Sequence, residues 1–442
     1  MTVTRRVDWV RVGSLDVAMA GNPVWVVAGP VAGDVERRFP DVLARMAAHG
    51  PRFRVGLIPT AGGRLWKHTD KPGALLETDL SGARTPEQIL ERLVGRPATA
   101  PISVAQVGAY ACVCFDHGIG DSHVMMEVLA ALAAAGSHRD FVEPAPNPSV
   151  TDHPFRTALT TYVRSSSRRG LPVAEFAQFT CVTLGHKIRR AFRDLADSRG
   201  QVTVRPECEV VHVASVPRLL TTVRAWRDDH HPGASVTSII TWSIHRALRD
   251  SGIHIADELN VLIDLRRLLP PGVETLANLC TIVKVEAGEN VTVDEFSERF
   301  RVRTSSGWPL IKTAAHLSLG RIAFALGSRP KPKWHPVAEP LGSRTIEVTV
   351  SDISKIPSTS KLRFATPDAA TLAVALPPGS GRSLTVALWA SPAGRVQATA
   401  TLPAGLIDRE TLRCALESGL SPANFGGSLC ERRREDAEVI AR

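Results

Sequence analysis

The chain has 442 residues, 44% hydrophobic and 22% charged, values that exclude wholesale disorder and a length too great for one ordinary core. Its 53 Lys and Arg against 44 Asp and Glu leave a net charge of +9, which suits an anionic partner such as a phosphorylated cofactor or an acidic protein. Aromatics at 5% and the lack of a zinc-finger, RNA-recognition or dense basic pattern speak against nucleic acid. The longest apolar stretches, 24–27 and 128–135, are too short for a bilayer, and Asp8, Arg11 and Asp16 break any signal-peptide core, so a cytoplasmic protein without a membrane span is expected.

A strand is expected over 23–28. An amphipathic helix follows over 34–49, with Val35, Phe39, Val42, Leu43 and Met46 near helical spacing. Short strands over 53–59 and 64–67 flank the turn Ala61-Gly62-Gly63. A short helix at 87–94 precedes one long strand over 102–115, rich in small and β-branched residues. The polar segment 116–122 leads into a helix over 123–135 that Gly136 stops. Pro144, Pro146 and Pro148 mark 137–151 as a surface connection, and 173–198 reads as a helical region with Lys187, Arg189, Arg190 and Arg193 on a charged face.

Near residue 200 the pattern begins again. Strands are expected at 208–214, 259–265, 279–285, 344–350, 371–375, 384–390 and 396–401. Helices are expected at 216–228, 236–250, 293–303 and 407–418, with a Pro- and Lys-rich loop at 329–340 and a polar tail from 431. The two halves have similar element content, so two lobes are expected, 1–200 and 201–442, each mixing strands and helices.

Seven cysteines (Cys112, Cys114, Cys181, Cys208, Cys280, Cys414 and Cys430) lack the spacing of a disulfide framework or a zinc site. Cys112 and Cys114 share one face of a strand and read as core. Asp228-Asp229-His230-His231 precedes Pro232-Gly233 and reads as a polar turn rather than a metal site. The basic runs 187–193, 329–333 and 432–434 read as solvated surface.

The informative segment is Cys114-Phe115-Asp116-His117-Gly118-Ile119-Gly120-Asp121-Ser122. It sets His-x-x-x-Asp between a long apolar strand and an amphipathic helix. Glycine-containing turns at strand ends present side chains to clefts, and Gly118 and Gly120 permit a cramped backbone around His117. Taken alone, His117 reads as a turn histidine, Asp121 as a helix N-cap, Asn278 as a turn residue and Ser351 as a strand-end residue.

This segment resembles the HxxxDG signature shared by chloramphenicol acetyltransferases, nonribosomal-peptide condensation domains, plant-type BAHD acyltransferases, and polyketide-associated or wax-ester-type acyltransferases. Asp264-Leu265-Arg266-Arg267-Leu268-Leu269-Pro270-Pro271, with Ala277-Asn278 after it, is similar to their D-x-R…P…G-N segment. Val350-Ser351-Asp352-Ile353-Ser354-Lys355-Ile356-Pro357 is similar to their SNxG-x-x-P strand end. The order holds from about residue 20 to 420. The chain departs from the pattern at Asp116, where condensation domains carry a first histidine, and at Ser122, Ala277 and Asp352.

The resemblance implies an α/β fold of two chloramphenicol-acetyltransferase-like lobes, each a mixed sheet flanked by helices, with a tunnel between them. It implies acyl transfer from a coenzyme A or phosphopantetheinyl carrier-protein thioester to a hydroxyl or amine acceptor, in secondary-metabolite or lipid biosynthesis. By position, His117 is then the general base, an imidazole being suited to proton transfer near neutral pH. Asp121 is structural and pairs with Arg266, with Arg267 an equal claimant, because an unpaired buried carboxylate is costly. Gly120, Ser122, Asn278 and Ser351 fall on the substrate side, with Ser122 a candidate oxyanion donor. The resemblance implies no metal and no tightly bound cofactor, and a monomer is expected. The departures keep two further readings open: a non-catalytic homologue that binds a carrier or partner, and cyclisation of a bound intermediate in the same cleft.

Overall fold

The computed structural model describes residues 9–60, 62–94, 96, 100–134, 153–166, 207–325 and 345–424. The expected helix at 173–198, the connection at 137–151, the loop at 329–340, the tail from 431, the three basic runs, Cys181 and Cys430 lie outside the described residues. In chain order the first half forms β1 (Trp9–Arg11), α1 (Ser14–Met19), β2 (Pro23–Gly29), α2 (Val35–Ala48), β3 (Leu57–Ile58), β4 (Leu65–His68), β5 (Gly73–Leu75), α3 (Pro86–Leu93), β6 (Ile102–Val107), β7 (Tyr110–Asp116), α4 (Ser122–Ala133) and α5 (Pro154–Ser166). The second half forms β8 (Cys208–Ala214), α6 (Leu219–His230), α7 (Val236–Asp250), β9 (Glu258–Asp264), β10 (Cys280–Glu286), α8 (Val293–Ser305), α9 (Trp308–Ala325), β11 (Glu347–Asp352), β12 (Thr371–Ala375), β13 (Ser383–Ala390), β14 (Val396–Pro403) and α10 (Arg409–Gly419). Among the described residues, no helix is long and apolar enough to cross a membrane.

Two mixed sheets organise the molecule. One has the order β12-β2-β7-β6-β5 and the other β10-β9-β11-β13-β14-β8; a small third sheet has the order β1-β4-β3. β5 runs parallel to β6, and β11 runs parallel to both β9 and β13, while the other pairings in these two large sheets are antiparallel. β12 comes from the second half of the chain yet pairs with β2 in the first sheet. Gln397 on β14 ties that strand to the second sheet: its amide donates to the Ala370 carbonyl at 2.6 Å and accepts from the Leu372 N–H at 3.1 Å.

The single strand expected over 102–115 is instead a hairpin, β6 and β7, with Ile102 opposite Phe115 and Val107 opposite Tyr110. Gly108 makes the turn in the left-handed region, at φ +56°, where a side chain is disfavoured. The apolar run continues through the turn, so periodicity alone conceals it.

Alternation along β2 and β7 divides their side chains between two layers. Val24, Val26, Val113 and Phe115 pack with Phe39 and Leu43 of α2 and Met126 and Leu129 of α4. Trp25, Val27, Cys112 and Cys114 face Ile89, Leu90 and Leu93 of α3. Burial pushes the Cys112 thiol up to about 12, so it stays protonated and inert. In the second sheet, Val211, Val261, Val348 and Val386 pack against Ile240 and Ile244 of α7 and Leu412 and Leu416 of α10. Fully burying each such side chain contributes about 1.5–3 kcal/mol.

Candidate active site

β7 ends at Asp116, and His117 opens a short 3-10 turn, His117–Ile119, before α4 begins. The Asp116 carboxylate caps that turn. It accepts from the Gly118 N–H at 2.8 Å and, across the sheet end, from the Gly21 N–H at 3.0 Å. Burial holds the Asp116 carboxyl above its ordinary pKa despite these hydrogen bonds. Asp116 therefore serves as a backbone cap.

The His117 backbone is fixed on both sides. Its N–H donates to the Asn22 carbonyl at 2.8 Å, and its carbonyl accepts from Asn278 Nδ2 at 2.8 Å. Its ring is half-buried, with Nδ1 out of contact with solvent. Gly118 and Gly120 leave no room for larger residues. A Cβ at Gly118 would stand 2.9 Å from the Ala20 Cα and 3.0 Å from the Trp66 ring, and one at Gly120 would stand 2.7 Å from the Leu276 carbonyl oxygen.

Asp121 caps α4 and is buried. Arg266, from just after β9, approaches it in a two-point grip. Nη1 donates to Oδ2 at 2.8 Å and Nη2 donates to Oδ1 at 2.9 Å. The remaining donors of Arg266 are also used: Nε on the Thr275 carbonyl at 2.9 Å, Nη1 on Asp264 at 3.1 Å, and Nη2 on the Ala277 carbonyl at 2.8 Å. The guanidinium thus satisfies all five of its N–H groups. Burial pushes the Asp121 carboxyl up, but the Arg266 charge and hydrogen bonds from Arg266 and Leu279 outweigh it and hold it below the usual carboxylate range. Arg267 has no such contact with Asp121. It is exposed, and desolvation lowers its pKa.

Asn278 is buried beneath the turn. Nδ2 donates to the His117 carbonyl and to Asp16 Oδ1 at 3.0 Å, and the backbone N–H also donates to Asp16 at 3.0 Å. Ser122 occupies the first position of α4 and is half-buried, so its N–H belongs to a helix N-terminus. Ser351 lies on β11, buried, between Leu262 of β9 and Ala387 of β13. The structure brings Gly120, Asp121, Ser122, Arg266 and Asn278 around the His117 turn, while Ser351 stands two residues behind the β9 end that carries Asp264.

Two residues at the site, Asp16 and His123, carry no local motif. Asp16 on α1 pairs with Arg54 at 2.9 Å, and Arg54 donates to the Ile119 carbonyl and, at 3.2 Å, to the Gly118 carbonyl. Arg54 does this from the left-handed region, at φ +67°. His123 Nε2 meets Asp264 Oδ2 at 2.9 Å, a further contact between the two halves of the chain. Burial pushes the Asp264 carboxyl up, but His123 and Arg266 outweigh it and hold it low. Among the described residues, no cluster of His, Cys, Asp and Glu could hold a metal ion, and Asp228 to His230 end α6 as an exposed polar turn.

No protein-family model and no curated protein matches the sequence. Solved structures do match its fold. The nonribosomal peptide synthetase FmoA3 in its α-methyl-L-serine-AMP-bound form aligns over 94% of this chain at 15% identity and a TM-score of 0.54. This chain spans 43% of the length of that protein. TRI3 trichothecene 15-O-acetyltransferase from Fusarium sporotrichioides aligns over 95% of this chain and 96% of its own, at 10% identity and a TM-score of 0.55. The condensation domain of the monacolin K polyketide synthase MokA aligns over 95% and 97%, at 11% identity and a TM-score of 0.52. The chain therefore has the chloramphenicol-acetyltransferase-like fold that condensation domains and these O-acetyltransferases share, a mixed α/β fold with its sheets flanked by helices.

Proposed function

We propose that this protein is an acyltransferase of the condensation type, with His117 as general base in a tunnel between lobes 1–200 and 201–442. The observation that carries the reading is the fully satisfied Arg266–Asp121 pair, which joins the lobes beside His117 and fixes the end of its turn. A surface histidine needs no such support. The acyl donor is a thioester of coenzyme A or of a phosphopantetheinyl carrier protein, and the acceptor is a hydroxyl or an amine. Nδ1 of His117 is buried, which leaves Nε2 to face the acceptor.

In this reaction Nε2 takes the acceptor proton as the acceptor oxygen or nitrogen bonds to the thioester carbonyl carbon. The carbonyl oxygen becomes an oxyanion, and the Ser122 N–H at the α4 N-terminus is the candidate donor to it. Collapse of the intermediate breaks the C–S bond, and the imidazolium returns its proton to the departing thiolate. Gly120 lets the Leu276 backbone and Val124 pack close against the turn, Asn278 holds the turn from below, and Ser351 lies within the second sheet.

The test is acceptor-dependent thiol release with mass detection of products, across acyl-coenzyme A and acyl-carrier donors with mixed alcohols and amines. The wild type is expected to turn over, and His117→Ala to lose a factor of about 10²–10⁴ in rate while keeping its fold. Undiminished turnover in the variant rejects His117 as base. A product equal in mass to the acyl group, without added acceptor, would instead support cyclisation.

A further inference from the structure

The small sheet β1-β4-β3 has one face turned inward and one turned to solvent. Register places Trp9 opposite Lys67, Val10 opposite Trp66, and Arg11 opposite Leu65. Because side chains alternate, Trp9, Arg11, Leu65 and Lys67 share one face. Val10 and Trp66 share the other. The inner face is in the core: Trp66 is fully buried and approaches Gly118 in the His117 turn.

The outer face is unusual for this molecule. Trp9 is 63% exposed and Leu65 58%, the two highest values among the exposed large hydrophobic residues described. Singly exposed apolar residues are ordinary. These two stand on adjacent strands, diagonal to one another, and each faces a cation across the ladder. Arg11 and Lys67 have no ion pair or hydrogen bond from their side chains among the described residues. An exposed tryptophan beside an uncommitted arginine has the composition of a binding hot spot, and Leu65 and Lys67 extend it with apolar area and positive charge that suit an acidic surface with an apolar centre.

We propose that this face docks the acidic carrier protein that presents the acyl thioester. The inference rests on the acyl-transfer reading for what the carrier delivers, but the surface itself rests on register, exposure and charge. The excess of basic residues over the whole chain acts in the same direction by steering an acidic partner. A carrier seated there lies on the opposite face of the sheet from Trp66, which packs beside Gly118 in the His117 turn.

The test uses the full chain, a panel of acidic holo acyl-carrier proteins, and two double variants: Arg11→Glu with Lys67→Glu, and Trp9→Ala with Leu65→Ser. Binding is measured by biolayer interferometry at low and physiological salt. The carrier that binds the wild type most tightly is expected to bind each double variant at least tenfold more weakly, and the charge-reversal variant should lose the salt dependence. With an acyl-N-acetylcysteamine thioester, which needs no docking, kcat and KM should not change. Failure of every carrier to bind the wild type overturns the proposal, as does binding indifferent to both variants. Patch-dependent co-sedimentation with phosphatidylglycerol vesicles, or patch-dependent self-association, would assign the face to a membrane or a second copy instead. The two readings fail separately. If carriers bind through this face but no donor releases thiol, acyl transfer falls and docking stands; if small thioesters turn over but carriers ignore the face, the reverse holds.

Discussion

Arg266 shows how a single side chain can set the cost of altering a site. Its five donors all meet acceptors, two of them on a carboxylate taken out of water. Asp121→Asn leaves the guanidinium buried beside a neutral amide and turns one acceptor into a donor. The expected loss is about 3–5 kcal/mol, measured by urea unfolding, because breaking one side of a buried pair strands the other charge. Arg266→Lys should cost nearly as much, since an ammonium cannot grip both carboxylate oxygens in a plane. The double variant Asp121→Asn with Arg266→Gln should be less destabilised than the sum of the two single changes, and strict additivity would show that the pair is not coupled. The Asp121 carboxyl is held low in the folded state. Its contribution is therefore present above the ordinary aspartate pKa and is lost as pH falls through the lowered value.

At the scale of elements, the β6–β7 hairpin and the α4 N-terminus aim His117. Gly108 at the hairpin turn has open space around its Cα, so Gly108→Ala meets no clash and pays only for the left-handed backbone. A loss of about 1–2 kcal/mol in thermal or urea unfolding is expected, with turnover unchanged because the turn lies at the far end of β7 from His117. A loss of activity at equal foldedness would mean that hairpin geometry reaches the site. This hairpin also marks the limit of sequence reading. The strands β2, β8, β9, β10, β12, β13 and β14 and the helices α2, α3, α4, α7, α8 and α10 follow the periodicities that anticipate them, within a few residues. The turn at Gly108 is hidden because Val107, Ala109 and Tyr110 continue the apolar run. β1, α1 and β5 are missed because they are too short for periodicity, and α9 because it is apolar on all sides; α5 is missed although Phe155, Ala158, Leu159 and Tyr162 stand at helical spacing. His-x-x-x-Asp and Asp-x-Arg are legible because each is local. The support beneath the turn is not: Asn278 reaches Asp16 across 262 positions, a pairing no local pattern encodes.

Across the whole molecule, the two halves of the chain are joined by contacts of different chemistry. Arg266 grips Asp121 beside the site. At α3, Glu87 accepts from both Arg409 and Arg413 of α10, the latter at 2.6 Å, and burial, which alone would raise the Glu87 pKa, is outweighed by these arginines. His212 on β8 lies in the same region. Its N–H donates to Glu87 at 3.3 Å, and Nδ1 is 3.0 Å from the Thr399 hydroxyl. Burial lowers the His212 pKa to about 4, with Glu87 opposing and Arg413 reinforcing the shift. In α7, His245 is also buried, with Nε2 3.2 Å from the Ala256 carbonyl, and its pKa too is lowered to about 4, by burial first, with Arg249 and Arg246 adding and Asp257 opposing.

Both histidines are neutral in the folded protein at pH values where an unfolded histidine, with a pKa near 6.5, is already charged. Between these values the unfolded chain binds more protons, so stability must fall as pH falls from about 6.5 to about 4, and the decline from these groups must level off below that. This window lies above the one in which Asp121 titrates, so the two contributions separate on the pH axis. Urea unfolding at intervals from pH 8 to 4 should show the decline, and His245→Gln should remove about 1–3 kcal/mol of it while leaving its acidic end to the carboxylates. His212→Gln should flatten the same window and can keep a hydrogen bond to Thr399. If the pH dependence of both variants runs parallel to that of the wild type through this window, buried neutral histidines are not the source of the decline.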